Sequence, residues 1–196
     1  MGENRPVISL PGRPLRSLVV IAAICLLTSC AAKDHPQKPA AVACPAPQGT
    51  TSVGEPIPKD CTLEILSGGT LRLASLVGKP SVINFWAAWC TFCIAEMPDF
   101  QKVYADLSSK VEFVGADLIG IQGETKSVAR TFANKTGVKY PLVFDLDAKL
   151  YGHFSARLVM PVTIFVRADG IVAFRQFGPL TEKKIRELLR TKLRVA

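Results

Sequence analysis

The run Asn84-Phe85-Trp86-Ala87-Ala88-Trp89-Cys90-Thr91-Phe92-Cys93 carries a short apolar block into two cysteines separated by two residues, and a helical pattern starts directly after them. A cysteine at the start of a helix meets backbone N–H groups that have no partner inside the helix, together with the positive end of the helix dipole. Both favour thiolate over thiol. Because thiolate is the nucleophile, this placement predicts a Cys90 pKa below the ~8.5 of a free cysteine and makes Cys90 the attacking sulfur. Cys93 is then the resolving thiol, which displaces a mixed disulfide from within the molecule. A Cys-x-x-Cys pair can also be half of a zinc site, but that needs a second pair or histidines at ligand spacing. The chain has only His35 and His153.

Upstream, residues 81–86 form an almost wholly apolar run with Val82, Ile83, Phe85 and Trp86, the pattern of a strand buried on both faces. Downstream, Ile94, Met97, Phe100, Val103, Tyr104 and Leu107 recur at three-to-four spacing, which predicts a helix over 91–107 interrupted by Pro98.

Further out, residues 61–66 and 70–73 flank Ser67-Gly68-Gly69 and read as a hairpin. Residues 111–117 repeat the buried-strand pattern, 124–135 read as a helix and 141–145 as a third strand, an alternation that implies a parallel sheet covered by helices. A short helical turn near Leu150 precedes two strands, 162–166 and 171–175, around Arg167-Ala168-Asp169-Gly170. Residues 181–193 close the chain as a helix with Thr181 at its N-cap and Ile185, Leu188, Leu189 and Leu193 facing inward.

The front end has a different character. Arg5, Arg13 and Arg16 precede an apolar run from Leu18 to Leu27 and then Thr28-Ser29-Cys30-Ala31, a secretory signal pattern. Ten helical residues reach ~15 Å against a hydrocarbon core of ~30 Å, so the run is short for a spanning anchor. Leu27-Thr28-Ser29-Cys30 resembles the bacterial lipobox, which implies cleavage before Cys30 and lipid on its sulfur. Ordinary signal cleavage beside an incidental cysteine is the other reading. Residues 1–29 are thus expected to be a signal peptide, 30–56 a flexible tether poor in residues to bury, and 57–196 the folded domain.

If Cys25 leaves with the signal and Cys30 is alkylated, Cys44, Cys61, Cys90 and Cys93 remain. In an oxidising compartment the natural pairing is Cys44 with Cys61, contributing roughly 3 kcal/mol through loop closure. Two free thiols, or exchange with the active pair, are the alternatives. The 24 basic and 16 acidic residues give a net charge of +8 spread along the chain, with a mixed-sign cluster in the last helix. No nucleic-acid reading motif accompanies it.

From about Ile57 onward the chain resembles the thioredoxin-like TlpA, ResA and DsbE group of membrane-tethered thiol-disulfide oxidoreductases. The match is carried by Leu71 to Leu76 before Gly78-Lys79-Pro80, by Asn84-Phe85-Trp86, by Trp89-Cys90-Thr91-Phe92-Cys93 with Glu96 and Pro98, and by Met160-Pro161-Val162-Thr163. The resemblance implies an α/β thioredoxin-like fold: a central mixed, mostly parallel sheet flanked by helices, with an N-terminal hairpin. It implies proton exchange with the thiols at Glu96, one turn beyond Cys93. Thioredoxins carry a buried acid six residues before the first cysteine, and here that position is Asn84, which cannot shuttle a proton. The resemblance also implies a cis bond before Pro161, a peptide at Met160 that docks an extended substrate, and control of redox potential by Thr91 and Phe92. Trp89 is expected on the substrate surface. His153, without a partner motif, reads as a local residue.

The function so implied is an exported, lipid-anchored protein facing the periplasm or cell exterior. It would exchange disulfides with exported proteins, apocytochrome c among the candidates, and draw electrons from a membrane partner of DsbD or CcdA type. No cofactor or metal is expected. Some similar proteins introduce disulfides instead. A thiol peroxidase of the related peroxiredoxins would need Pro-x-x-x-Thr-x-x-Cys, which the residues before Cys90 do not match. A copper-handling relative would need wider cysteine spacing and a ligand histidine.

Overall fold

A computed structural model describes residues 42–195 of the 196-residue chain. The expected signal peptide, Cys30 and the tether up to residue 41 lie outside the described residues. The elements run β1 (Thr62–Ile65), β2 (Thr70–Arg72), a 3-10 turn (Leu73–Leu76), β3 (Ser81–Trp86), α1 (Thr91–Leu107), β4 (Glu112–Ile119), α2 (Lys126–Thr136), β5 (Leu142–Leu146), α3 (Lys149–Gly152), β6 (Val162–Val166), β7 (Val172–Phe177) and α4 (Glu182–Lys192). They form one seven-stranded sheet in the order β2-β1-β5-β4-β3-β6-β7, a thioredoxin-like arrangement.

Only β3, β4 and β5 run parallel. The four other pairings are antiparallel, so the sheet is mixed but not mostly parallel as the α/β alternation suggested. For β1–β2 and β6–β7 the reason is local. Parallel strands need a long crossover, which α1 and α2 supply, whereas the short Ser67-Gly68-Gly69 and Ala168-Asp169-Gly170 turns can only return the chain antiparallel.

The steps β3–α1–β4 and β4–α2–β5 move the same way across the sheet. Right-handed crossovers therefore place both helices on one face. There they pack with α4 against Val82, Trp86, Phe113 and Phe165. The other face buries Ile83, Phe85, Val114 and Ile164 under Leu73, Leu76, Leu150 and Phe154. Alternation along β3 thus sends Val82, Asn84 and Trp86 towards α1.

Residues 42–57, most of which composition assigned to the tether, are attached to the domain in their described part. Ala43 bridges Thr62 and Pro56 bridges Ile171, Gly54 donates to the Val172 carbonyl and Ile57 to that of Gly170, and Cys44 is disulfide-bonded to Cys61. Polar composition missed this because residues 42–56 are held by backbone groups and one covalent bond, and the buried apolar core begins at Ile57. Among the described residues no helix is long and apolar enough to cross a membrane.

Candidate active site

The apolar β3, in the middle of the sheet, delivers the chain to the end where its strands finish, and the Ala87–Trp89 turn lets Cys90 become the N-cap of α1. Cys90 N donates to the Ala87 carbonyl at 3.0 Å, and Cys93 N donates to Cys90 Sγ at 3.2 Å. That bond and the helix dipole both favour negative charge on this sulfur once the pair is reduced. Cys90 and Cys93 are joined as a disulfide, with Cys90 slightly exposed (6%) and Cys93 fully buried. An attacking thiol from outside can therefore reach Cys90 and not Cys93.

A shallow depression beside Cys90 is lined by Trp89, Thr91, Phe92, Gln122, Leu158 and Met160. Phe92, Leu158 and Val159 are exposed apolar side chains, Phe92 at 63%. The Met160–Pro161 bond is cis, and buried Pro161 leads directly into β6, which pairs with β3. Trp89 is held by its indole N–H, which donates to the Ile121 carbonyl at 3.1 Å.

Glu96 lies behind the pair, 2% exposed on the inner side of α1. Its Oε1 accepts from Asn84 Nδ2 at 2.7 Å, and its Oε2 accepts from Leu180 N at 2.8 Å. Asn84 Nδ2 also donates to Thr163 Oγ1 at 3.0 Å. Burial pushes the Glu96 carboxyl up to about 7, against the opposing pull of the two donors. A carboxyl that titrates there can both take and give a proton at neutral pH.

Sequence reading missed a second set of acids. Glu124, expected at the start of a helix, instead sits in the loop before α2, whose N-cap is Thr125. It is buried, and its Oε2 accepts from Ala88 N at 2.8 Å, fixing the backbone that leads to Cys90. Burial raises its carboxyl as well, with the N–H groups of Ala88 and Trp89 opposing. Asp117 is fully buried with neither oxygen in a well-formed hydrogen bond. Burial foremost, then the charges of Glu124 and Asp145, pushes it up to about 8. Asp145 accepts from Leu150 N and Tyr151 N, each at 2.8 Å. The sequence signal for Asp117 and Asp145 was an acid closing a buried-strand pattern, and Glu124 had none.

Cys90, Trp89 and Met160 are thus brought together at one surface, with Cys93, Glu96 and Pro161 behind it. Cys44 and Cys61 are not part of this site. Cys61 belongs to the core on the opposite face of the sheet from Cys93.

Comparison with known proteins identifies this architecture. The AhpC/TSA family model matches residues 53–175. The chain belongs to the AhpC/TSA family. Among the relatives of this AhpC/TSA chain, the thiol-disulfide oxidoreductase ResA of Halalkalibacterium halodurans is 27% identical over 128 residues, 65% of this chain and 70% of that protein. A secreted Mycobacterium tuberculosis disulfide oxidoreductase homologous to E. coli DsbE superposes with a TM-score of 0.55 at 30% identity, covering 66% of this chain and 91% of that one. The MTB DsbF structure, in mixed oxidized and reduced forms, gives a TM-score of 0.58 at 26% identity, covering 66% and 92%. Within the AhpC/TSA family the chain is therefore a thiol-disulfide oxidoreductase of ResA and DsbE type.

Proposed function

We propose that this protein is exported, anchored to the membrane by lipid on Cys30, and exchanges disulfides with extracytoplasmic proteins through Cys90 and Cys93. The observation that carries the reading is the asymmetry of the pair: one sulfur caps a helix at the surface beside Met160, and the other is fully buried in front of a carboxyl that titrates near 7. In the reductive direction the Cys90 thiolate attacks a substrate disulfide, and one substrate sulfur leaves as a thiol. The mixed disulfide lies along Met160–Pro161, where the substrate backbone docks like an added strand. Cys93, losing its proton to Glu96, then attacks Cys90 and releases the second substrate thiol. The same steps reversed oxidise a dithiol.

Substrates of this class are exported proteins with cysteine pairs, apocytochrome c among them, and the reduced form is regenerated by a membrane dithiol protein of DsbD or CcdA type. Export rests on the Arg-flanked apolar run and the Leu27-Thr28-Ser29-Cys30 quartet, and the secreted disulfide oxidoreductase among the relatives supports it. Two acyl chains on one residue satisfy the two-signal requirement for stable anchoring.

The deciding measurement is the reduction potential of the Cys90–Cys93 pair. A value near the roughly −270 mV of thioredoxin supports the reductase, and one near the roughly −120 mV of DsbA makes the protein an oxidase. Localisation is tested separately by Cys30→Ala, which should move the protein from the membrane fraction to the soluble envelope fraction. Unchanged partition would remove the anchor from the proposal.

A further inference from the structure

The second cysteine pair has a histidine beside it. Ala43 and Thr62 exchange both backbone hydrogen bonds, Ala43 N to Thr62 O at 3.0 Å and Thr62 N to Ala43 O at 2.7 Å. The next pair in register, Cys44 opposite Cys61, is therefore of the non-hydrogen-bonded kind, in which facing side chains approach most closely. Their Cα atoms are 4.1 Å apart. The two sulfurs and a ring nitrogen of His153 all lie within 4.8 Å of one another.

His153 is also set in its protonation pattern. Its Nε2 lies 3.0 Å from the Pro45 carbonyl oxygen. A carbonyl can only accept, so Nε2 carries the proton and Nδ1 of the neutral ring holds the free lone pair. Histidines that bind metals are ordinarily oriented this way, with the non-ligating nitrogen donating to a carbonyl or carboxylate. The supporting backbone is fixed too: His153 N donates to the Leu150 carbonyl and Leu73 N to that of Cys61. Cys61 is fully buried, whereas Cys44 and His153 are half-buried, so the cluster opens to solvent on one side.

We propose that the reduced Cys44 and Cys61 thiolates, with His153, bind a thiophilic d10 cation, Cu(I), and that the disulfide is the closed form of this site. Two thiolates and one imidazole are a soft donor set. Structural zinc takes four protein donors, and among the described residues no fourth Cys, His, Asp or Glu joins the three. Opening the site needs a dithiol reductant. One of its thiolates attacks a sulfur of the Cys44–Cys61 bond, the other cysteine leaves as a thiolate, and the reductant's second thiol resolves the mixed disulfide and leaves as a cyclic disulfide. Two electrons and two protons pass to the pair. Cu(I) binding then expels both thiol protons. The site is separate from the Cys90–Cys93 exchange, because the two pairs lie on opposite faces of the sheet.

The test uses the full chain carrying Cys25→Ser, Cys30→Ser, Cys90→Ser and Cys93→Ser, so that Cys44 and Cys61 are its remaining cysteines. It is reduced with a phosphine and titrated anaerobically with Cu(I) against bicinchoninate. One equivalent should bind to the reduced chain and none to the oxidised chain. His153→Ala and, as a shape-keeping control, His153→Gln should each weaken binding by roughly tenfold or more while the far-ultraviolet circular dichroism is unchanged. Affinity in both histidine variants unchanged from that of the chain with His153, equal binding by the oxidised chain, or Zn(II) held more tightly than Cu(I) would overturn the proposal.

Discussion

Asn84 Nδ2 donates to Glu96 Oε1 at 2.7 Å, tying the strand that leads into the cysteine pair to the helix that follows it. The bond stabilises the ionised carboxylate against the desolvation that raises its pKa to about 7. Removing it in Asn84→Ala should move the titration of Glu96 upward from about 7, read from the pH profile of single-turnover disulfide exchange. Glu96→Gln should erase that inflection and slow release of the mixed disulfide by about 100-fold or more. A Gln variant with the parent's pH profile would remove Glu96 from the proton path.

The division of labour between the thiols follows from their exposure. Cys90→Ser should abolish turnover, and Cys93→Ser should accumulate a mixed disulfide visible by mass spectrometry. Iodoacetamide should alkylate the reduced protein first at Cys90, with a pH midpoint below the ~8.5 of a free thiol. Turnover by a Cys90 variant would contradict the assignment.

Phe92 stands 63% exposed between the two cysteines, at the rim of the depression that holds Met160. Its ring gains contact only when a polypeptide covers it, at about 1–2 kcal/mol for an aromatic partly buried on binding. Phe92→Ser should therefore raise KM for a peptide disulfide by roughly tenfold. KM for a small disulfide such as cystamine should hardly change. Equal effects on both substrates would argue against docking at this rim.

Stability should fall as pH rises through neutrality. Asp117 and Glu96 are raised to about 8 and about 7 and Asp145 to about 6, all by burial foremost. Their folded-state pKa values lie above the unfolded ones, so between the two the native state holds more protons than the unfolded chain. The stabilisation is complete below about pH 4 and is lost as pH climbs through about 6 to 8. The urea midpoint of the oxidised protein should drop from pH 5 to pH 8.5, and Asp117→Asn should flatten that slope. A midpoint that rises over this range would refute the assignment.

The Cys44–Cys61 bond closes a sequence separation of 17 residues and holds the segment around Ala43 and Pro45 against the domain. Replacing both cysteines by Ser should cost roughly 3 kcal/mol in urea unfolding. Hydrogen exchange at Ala43 N and Thr62 N should speed up more than exchange in β3. Uniform acceleration across the sheet would mean that the bond acts on the unfolded chain alone.

The sequence by itself determined the elements whose side chains repeat with the period of their own secondary structure. β3, α1 and α4 are legible because Val82 to Trp86, Met97 to Leu107 and Ile185 to Leu189 each write a burial pattern into adjacent positions. The Cys-x-x-Cys spacing and its strand-to-helix setting are equally local, and with them the redox chemistry. Tertiary structure alone decided the rest, because those interactions join residues that share no periodic pattern. It brought Leu180 N to Glu96 across 84 positions and Ala88 N to Glu124 across 36. It also set His153 beside Cys44 and Cys61 and fastened a polar, proline-rich segment to the sheet through backbone hydrogen bonds that any sequence could make. Burial, not residue type, separates these carboxyls from ordinary surface acids, and burial belongs to the folded chain.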